Sequence, residues 1–119
     1  MRSSTTRVLK WPNRATVDEA VRAWAAQTAA AHPEVLRIGY FGSYARGDWG
    51  VGSDVDLVLI VSVSDRPWME RPSDWDRQQL PVPSDALVYT ADEFGTMLAE
   101  GRGMARTIER EAVWVYTRA

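Results

Sequence analysis

The sequence has no cysteine, a single histidine (His32) and a single lysine (Lys10) among its 119 residues. Without cysteine there can be no disulfide framework and no thiolate metal site. One histidine is too few for a histidine-rich zinc centre, and it disfavours most Ser-His or Cys-His triads. Any catalytic chemistry must therefore rest on the 16 carboxylate residues.

Long hydrophobic runs and a strong positive charge are also missing. No stretch approaches the ~18 apolar residues of a membrane-spanning helix, and the polar first ten residues lack the apolar core of a secretory signal. We therefore expect a soluble, cytoplasmic protein with no membrane partner. The formal net charge of −2 disfavours stable binding to duplex nucleic acid, because that binding relies on many basic contacts to phosphates.

The chain is long enough for one domain, and its 45% hydrophobic content can supply a core. We predict an N-terminal arm at residues 1–15, with a short extended piece at 7–11, followed by a single domain at residues 16–119. Helical and strand patterns alternate along the domain. This alternation predicts an α/β (α+β) fold, in which helices flank a small mixed β-sheet.

Two capping boxes mark predicted helix starts. Thr16 and Glu19 open a first helix that ends before Pro33, because the residue before a proline is pushed out of the helical region. Thr90 and Glu93 open a second helix, which ends at a glycine. Two further short helices are predicted at residues 43–46 and 104–111.

Apolar and β-branched runs predict four strands, at residues 35–41, 54–63, 86–90 and 112–117. Residues 64–84 have a different character, because they hold four of the six prolines. We expect a long loop there, with one helical piece at residues 74–80. Trp68 and Trp75 of this segment could be stacking surfaces for a substrate, or they could belong to the core.

Asp54 and Asp56 stand two residues apart at the start of a predicted strand, so both carboxylates point to the same face. They repel each other unless a cation lies between them, and oxygen ligands of this kind suit Mg²⁺ or Mn²⁺. If strand 86–90 pairs beside this one, Asp85 could reach the same edge. Three carboxylates can hold two metal ions. Alternatively, the Asp-x-Asp pair is a solvated strand edge and Asp85 is an ordinary turn residue.

Gly42 and Ser43 lie between a predicted strand and a short helix, with ten residues between them and the paired aspartates. Backbone N–H groups at such a turn form a natural phosphate site. A Gly-Ser turn alone is common, but a phosphate site next to metal-binding carboxylates is what nucleotidyl transfer requires. Other phosphate motifs, such as a P-loop, are missing from the sequence.

The residues 42–47 (GSYARG) and 53–57 (SDVDL) together resemble the GSxARG…SDxDL signature of the minimal nucleotidyltransferases, which belong to the DNA polymerase beta nucleotidyltransferase superfamily. The fixed positions of the signature all match, and the resemblance extends over nearly the whole chain. Residues 64–84 depart from the family pattern. So does Ser84, which stands before Asp85 where the family usually has an apolar residue.

The resemblance implies a role for each matching residue. Gly42 and Ser43 would bind the triphosphate of an NTP, with ATP as the expected nucleotide. Two Mg²⁺ or Mn²⁺ ions would be held by Asp54, Asp56 and Asp85. Asp85 would also activate the acceptor hydroxyl. Arg46 also belongs to the signature, either as a phosphate ligand or as a structural clamp.

The function implied is transfer of a nucleoside monophosphate from an NTP to a hydroxyl, with release of pyrophosphate. The chain is small and acidic, so we expect the acceptor to be a protein side chain or a small molecule. The alternative is an antitoxin-like interaction protein that binds, and can adenylylate, a helical HEPN-type partner. A third alternative is a nucleotide-binding module with little turnover.

Overall fold

The computed structural model describes residues 11–119. The extended piece predicted at residues 7–11 lies outside this range apart from Trp11. Within residues 11–119 the sheet has four strands in the spatial order β3-β2-β1-β4. Their bounds are β1 (Val35–Phe41), β2 (Val55–Val61), β3 (Ser84–Thr90) and β4 (Val113–Thr117).

Strand β1 is antiparallel to both of its neighbours, β2 and β4, whereas β2 and β3 are parallel. The sheet is therefore mixed, and helices flank it, which confirms the predicted fold class. The helices are α1 (Arg14–Ala31), α2 (Ser43–Arg46), a 3₁₀ helix (Trp68–Asp74), α3 (Ala91–Glu100) and α4 (Ala105–Glu111).

Each face of the sheet carries its own hydrophobic core. On one face, α1 packs Val21 and Trp24 against alternate residues of β2, including Leu57. On the other face, Phe94 of α3 and Ile108 of α4 pack against the intervening strand residues. Both faces of β2 are covered, which explains its nearly continuous apolar sequence.

The first helix begins earlier than predicted. Asn13, not Thr16, is its N-cap, and the Asn13 side chain accepts a hydrogen bond from the Thr16 backbone N–H at 2.9 Å. The predicted capping box of Thr16 and Glu19 is therefore wrong, because the stronger cap three residues upstream places Thr16 inside the helix. The second capping box is confirmed, since Thr90 and Glu93 exchange both hydrogen bonds.

The helical piece predicted at residues 74–80 is also wrong. The helical turns lie earlier, in the 3₁₀ helix, and residues 75–80 are irregular apart from a turn at residues 78–79. A tertiary contact and a local one hold this segment: the Trp24 indole donates to Asp76 O at 2.7 Å, and the Asp76 carboxylate accepts from Gln78 N. No helix in residues 11–119 is both long and apolar enough to cross a membrane.

Candidate active site

The carboxylates of the sequence motif lie at the end of the sheet where β2 and β3 begin, which is called the edge below. Asp56 and Asp85 are register partners in this parallel pair, so their side chains share the face that also carries α3 and α4. Asp54 lies just before β2 and is exposed. The Val55 N–H donates to Pro83 O at 3.0 Å, which joins the two strand starts.

The Gly-Ser turn reaches the same edge because β1 runs in the opposite direction and ends there. Phe41, the last residue of β1, is paired with Asp56. Gly42 follows with φ +78°, and a Cβ built on it would collide with Asp56 Oδ2. Only glycine allows both this backbone conformation and this close approach.

Ser43 begins α2, whose first intrahelical hydrogen bond runs from Arg46 N to Gly42 O. The N–H groups of Ser43 and the next two residues precede that bond, so they have no helical acceptor of their own. The geometry of the turn is thus compatible with binding of phosphate oxygens.

The electrostatics of the edge centre on Asp56. Partial burial raises the pKa of Asp56, and the negative charges of Asp85 and Asp54 raise it further. The positive charge of Arg46 acts in the opposite direction. Asp56 is therefore a carboxylate that would gain from a nearby cation.

Arg46 itself is already engaged in two ion pairs. Its Nε lies 3.1 Å from Asp48 Oδ2, and its Nη1 lies 3.3 Å from Glu111 Oε1. The second pair ties α2 to the end of α4. These contacts favour a clamping role for Arg46, although the residue is exposed and close enough to influence Asp56.

A cavity of about 470 Å³ opens beside the two register partners. Its walls include Asp56 and Asp85, and the cation that faces it is Arg77. The remaining lining is mainly apolar, with contributions from Phe41, Pro72, Leu87 and Met104. Trp68 and Trp75 lie outside this cavity, against Tyr89 and His32 respectively.

The three aspartates share an edge without forming a compact cage. Within residues 11–119, no group of three or more carboxylate or histidine side chains is close enough to hold a metal ion unaided. Any cation at this edge would therefore need further ligands. Mg²⁺ is commonly bound in this way, through one or two carboxylates together with the phosphates of a substrate.

Two contacts around the site were not foreseen from the sequence. The Trp11 indole donates to Ser53 O at 3.2 Å, and the Tyr44 hydroxyl donates to Pro12 O at 2.8 Å. The residues before α1 thus tie the Gly-Ser turn to the turn that carries Asp54. No periodicity or motif in the sequence signals these bonds, which span 42 and 32 residues.

Comparison with known proteins adds the family. The family model of the nucleotidyltransferase domain matches residues 26–115, which is more than half of the chain. The chain belongs to the nucleotidyltransferase domain family. The match spans both signature segments and every strand up to β4. No curated protein sequence matches the chain significantly.

Solved structures resemble this nucleotidyltransferase in fold at low sequence identity. A candidate nucleotidyltransferase from Sulfolobus solfataricus aligns with a TM-score of 0.64 and 17% identity, covering 88% of this chain and 84% of that chain. A toxin–antitoxin complex with AMP-PNP aligns with a TM-score of 0.53 and 13% identity, covering 82% and 73%. A mutant of the toxin–antitoxin pair MntA–HpeT gives the same values.

Proposed function

We propose that this nucleotidyltransferase moves a nucleoside monophosphate from an NTP, with ATP as the expected donor, to a hydroxyl on a protein side chain or a small molecule. The observation that carries this proposal is the placement of Asp56 opposite Asp85 and against Gly42. At this edge the two carboxylates would bind a cation, and the backbone of the Gly-Ser turn beside them would bind a polyphosphate.

The donor set at this edge fits Mg²⁺ or Mn²⁺, because every side chain offered is a hard oxygen ligand. Asp54, Asp56 and Asp85 would hold two ions together with phosphate oxygens of the nucleotide. When bound, such ions offset the negative charge that develops on a transferring phosphoryl group. The raised pKa of Asp56 supports this assignment, since a cation would favour its ionised form.

The remaining roles belong to the chain itself. The N–H groups at Gly42 and Ser43 would hold the triphosphate, and Asp85 would accept the proton of the acceptor hydroxyl. The hydroxyl oxygen forms a bond to the α-phosphorus while the bond between the α-phosphorus and the oxygen that bridges to the β-phosphorus breaks. Pyrophosphate then leaves with that electron pair.

Calorimetry provides the first test. ATP with Mg²⁺ should bind more tightly than ATP with EDTA, because the nucleotide phosphates and the carboxylates complete one coordination shell. Asp65→Asn changes an exposed carboxylate beyond the other end of β2 and should have the same affinity for ATP with Mg²⁺ as the wild type. Equal affinities with Mg²⁺ and with EDTA would contradict the two-metal proposal.

A second candidate function is that of an antitoxin-like protein that binds a helical HEPN-type partner and adenylylates it. It is favoured by the likeness in fold to the toxin–antitoxin complexes. The test is to co-express the chain with a helical protein encoded by an adjacent gene, to purify the two together, and to incubate them with α-labelled ATP and Mg²⁺. Label on the partner supports this function, whereas co-purification without label indicates a binding role alone.

A further inference from the structure

Arg77 makes an unusual set of contacts in the crossover between β2 and β3. Its Nη1 donates to Ser84 O at 2.9 Å and to Ser84 Oγ at 3.1 Å, and its Nη2 donates to Pro72 O at 3.4 Å. The guanidinium therefore joins the 3₁₀ helix to the first residue of β3. The same side chain lines the cavity that contains Asp56 and Asp85.

Arg77 forms none of the ion pairs found within residues 11–119. Its Nε is buried and has no hydrogen-bond partner in the described part of the chain. A buried donor without a partner costs stability. A side chain without an unsatisfied donor would stabilise the fold at least as well. Stability alone therefore does not explain an arginine at this position.

In the part of the chain that the structure describes, strand β3 is the outermost strand next to β2, which leaves some of its backbone carbonyls free to accept from Arg77. Within residues 11–119, strand β3 is paired on one side only, with β2. At its start, Pro83 O faces β2 and accepts from Val55, so the next carbonyl, that of Ser84, points away from the sheet. Arg77 donates to that outward carbonyl and so holds the side of the strand that faces away from β2.

We propose that Arg77 is a positioning residue, which keeps Asp85 in register with Asp56 by holding Ser84. This inference rests on the proposed function, because it assigns Arg77 to the third carboxylate of that same site. It also accounts for two departures from the family pattern. The hydroxyl of Ser84 gives Arg77 an additional acceptor, and the proline-rich crossover places Arg77 beside it.

The kinetic experiment uses Arg77→Met, Arg77→Lys and Ser84→Ala in the full chain. We expect Arg77→Met to lower kcat about 10- to 100-fold with little change in KM for MgATP, as for other residues that orient a catalytic group. Arg77→Lys should recover part of the loss, because an ammonium can still donate to Ser84 O. Ser84→Ala should lose less than Arg77→Met, since the carbonyl contact remains. Arg66→Met, an exposed arginine of the same crossover, is the matched control.

Hydrogen exchange provides a readout that does not depend on activity. Arg77→Met should increase the exchange rates of backbone amides at the start of β3, and that of the Val55 amide which is bonded to Pro83 O there. The exchange rates of β1 and of the rest of β2 should stay unchanged. If the wild-type chain transfers no nucleotide, the proposed function fails, and the exchange rates still decide whether Arg77 holds the strand.

Three results would overturn the proposal. Unchanged kcat and unchanged exchange in Arg77→Met would show that Arg77 does not position Asp85. A rise in KM with kcat intact would make it a nucleotide ligand instead. Faster exchange throughout the sheet, together with a lowered Tm in both Arg77→Met and Arg77→Lys, would make it a general stabilising residue.

Discussion

Gly42 lies so close to the carboxylate of Asp56 that a side chain at position 42 would displace it. Gly42 directly follows β1, and Asp56 lies near the start of the antiparallel strand β2, so the contact joins the end of one strand to the start of the next. The missing side chain of Gly42 thus lets the backbone of the Gly-Ser turn come into direct contact with the carboxylate.

Gly42→Ala should therefore destabilise the protein and abolish transfer. A left-handed φ alone costs an alanine about 1–3 kcal/mol, and the collision with Asp56 adds to that cost. Gly52→Ala is the matched control, because Gly52 has φ +88° but no atom within 4 Å of its built Cβ. Thermal melts of the two variants should show the larger loss for Gly42→Ala. Equal losses would mean that the contact with Asp56 is unimportant.

Asp56→Asn should separate activity from stability. The change removes a proposed metal ligand, so transfer should be lost. It also removes a negative charge that is disfavoured by burial, by Asp85 and by Asp54, so Tm in EDTA should stay the same or rise. Melting curves recorded in EDTA, together with a transfer assay, test both expectations. A clear fall in Tm would indicate that Asp56 is structural.

Asp85→Ala should affect the chemical step more than nucleotide binding. Asp54, Asp56 and the Gly-Ser turn would still hold the triphosphate, whereas the proton acceptor would be gone. We expect a fall in kcat of about 10²–10⁴-fold, the range for a lost general base, with the MgATP affinity nearly unchanged. Asp65→Ala should leave both quantities at the wild-type level. Loss of MgATP binding in Asp85→Ala would reassign the residue to the nucleotide.

The Arg71–Glu93 pair should make a pH-dependent contribution to stability. Buried Arg71 donates to both oxygens of Glu93 and to Val88 O, so Arg71→Met leaves acceptors unsatisfied and should cost about 2–4 kcal/mol at neutral pH. Arg66→Met, which breaks only exposed ion pairs, should change stability little.

The pH dependence of that cost has a definite sign. The hydrogen bond from Arg71 lowers the pKa of Glu93 from its ordinary value of 4.5. The stabilisation is therefore fully present above about pH 4.5 and is lost as the pH falls through the lower folded-state pKa. Denaturant titrations from pH 7 to pH 3 should show the wild-type advantage over Arg71→Met shrinking in the acidic range. A constant difference would contradict the assignment.

The parts of the structure that were predictable from sequence depend on local signals. Strand β2 was evident from its apolar run, and the turn at Gly42 from the break after a β-branched strand. The helix after Thr90 was evident from its capping box, whereas the same pattern at Thr16 was misleading because Asn13 caps the helix first. Local patterns locate elements well, but competing caps decide where each element begins.

The unpredicted parts depend on contacts between distant residues. Arg71 and Arg77 donate to backbone carbonyls of β3, which carry no sequence signal of their own. Asp85 could be expected opposite Asp56 only if β3 paired with β2, and no local sequence pattern fixes strand pairing. The crossover between them, with its prolines, hid both arginines inside a segment that is typical of a loop.

The position of the two aspartates at the starts of β2 and β3 leaves the other end of these strands available for labelling. In sheets of parallel strands, ligands gather at the carboxyl ends of the strands, but here Asp56 and Asp85 lie near the amino ends of β2 and β3. The carboxyl end of β2 is thus remote from the candidate site, by a strand of 7 residues, or roughly 20 Å. Val63, 75% exposed just beyond that end, is a position at which a fluorophore or an affinity tag can be attached. Under the proposed function, nucleotide and acceptor would bind at the opposite end of the sheet.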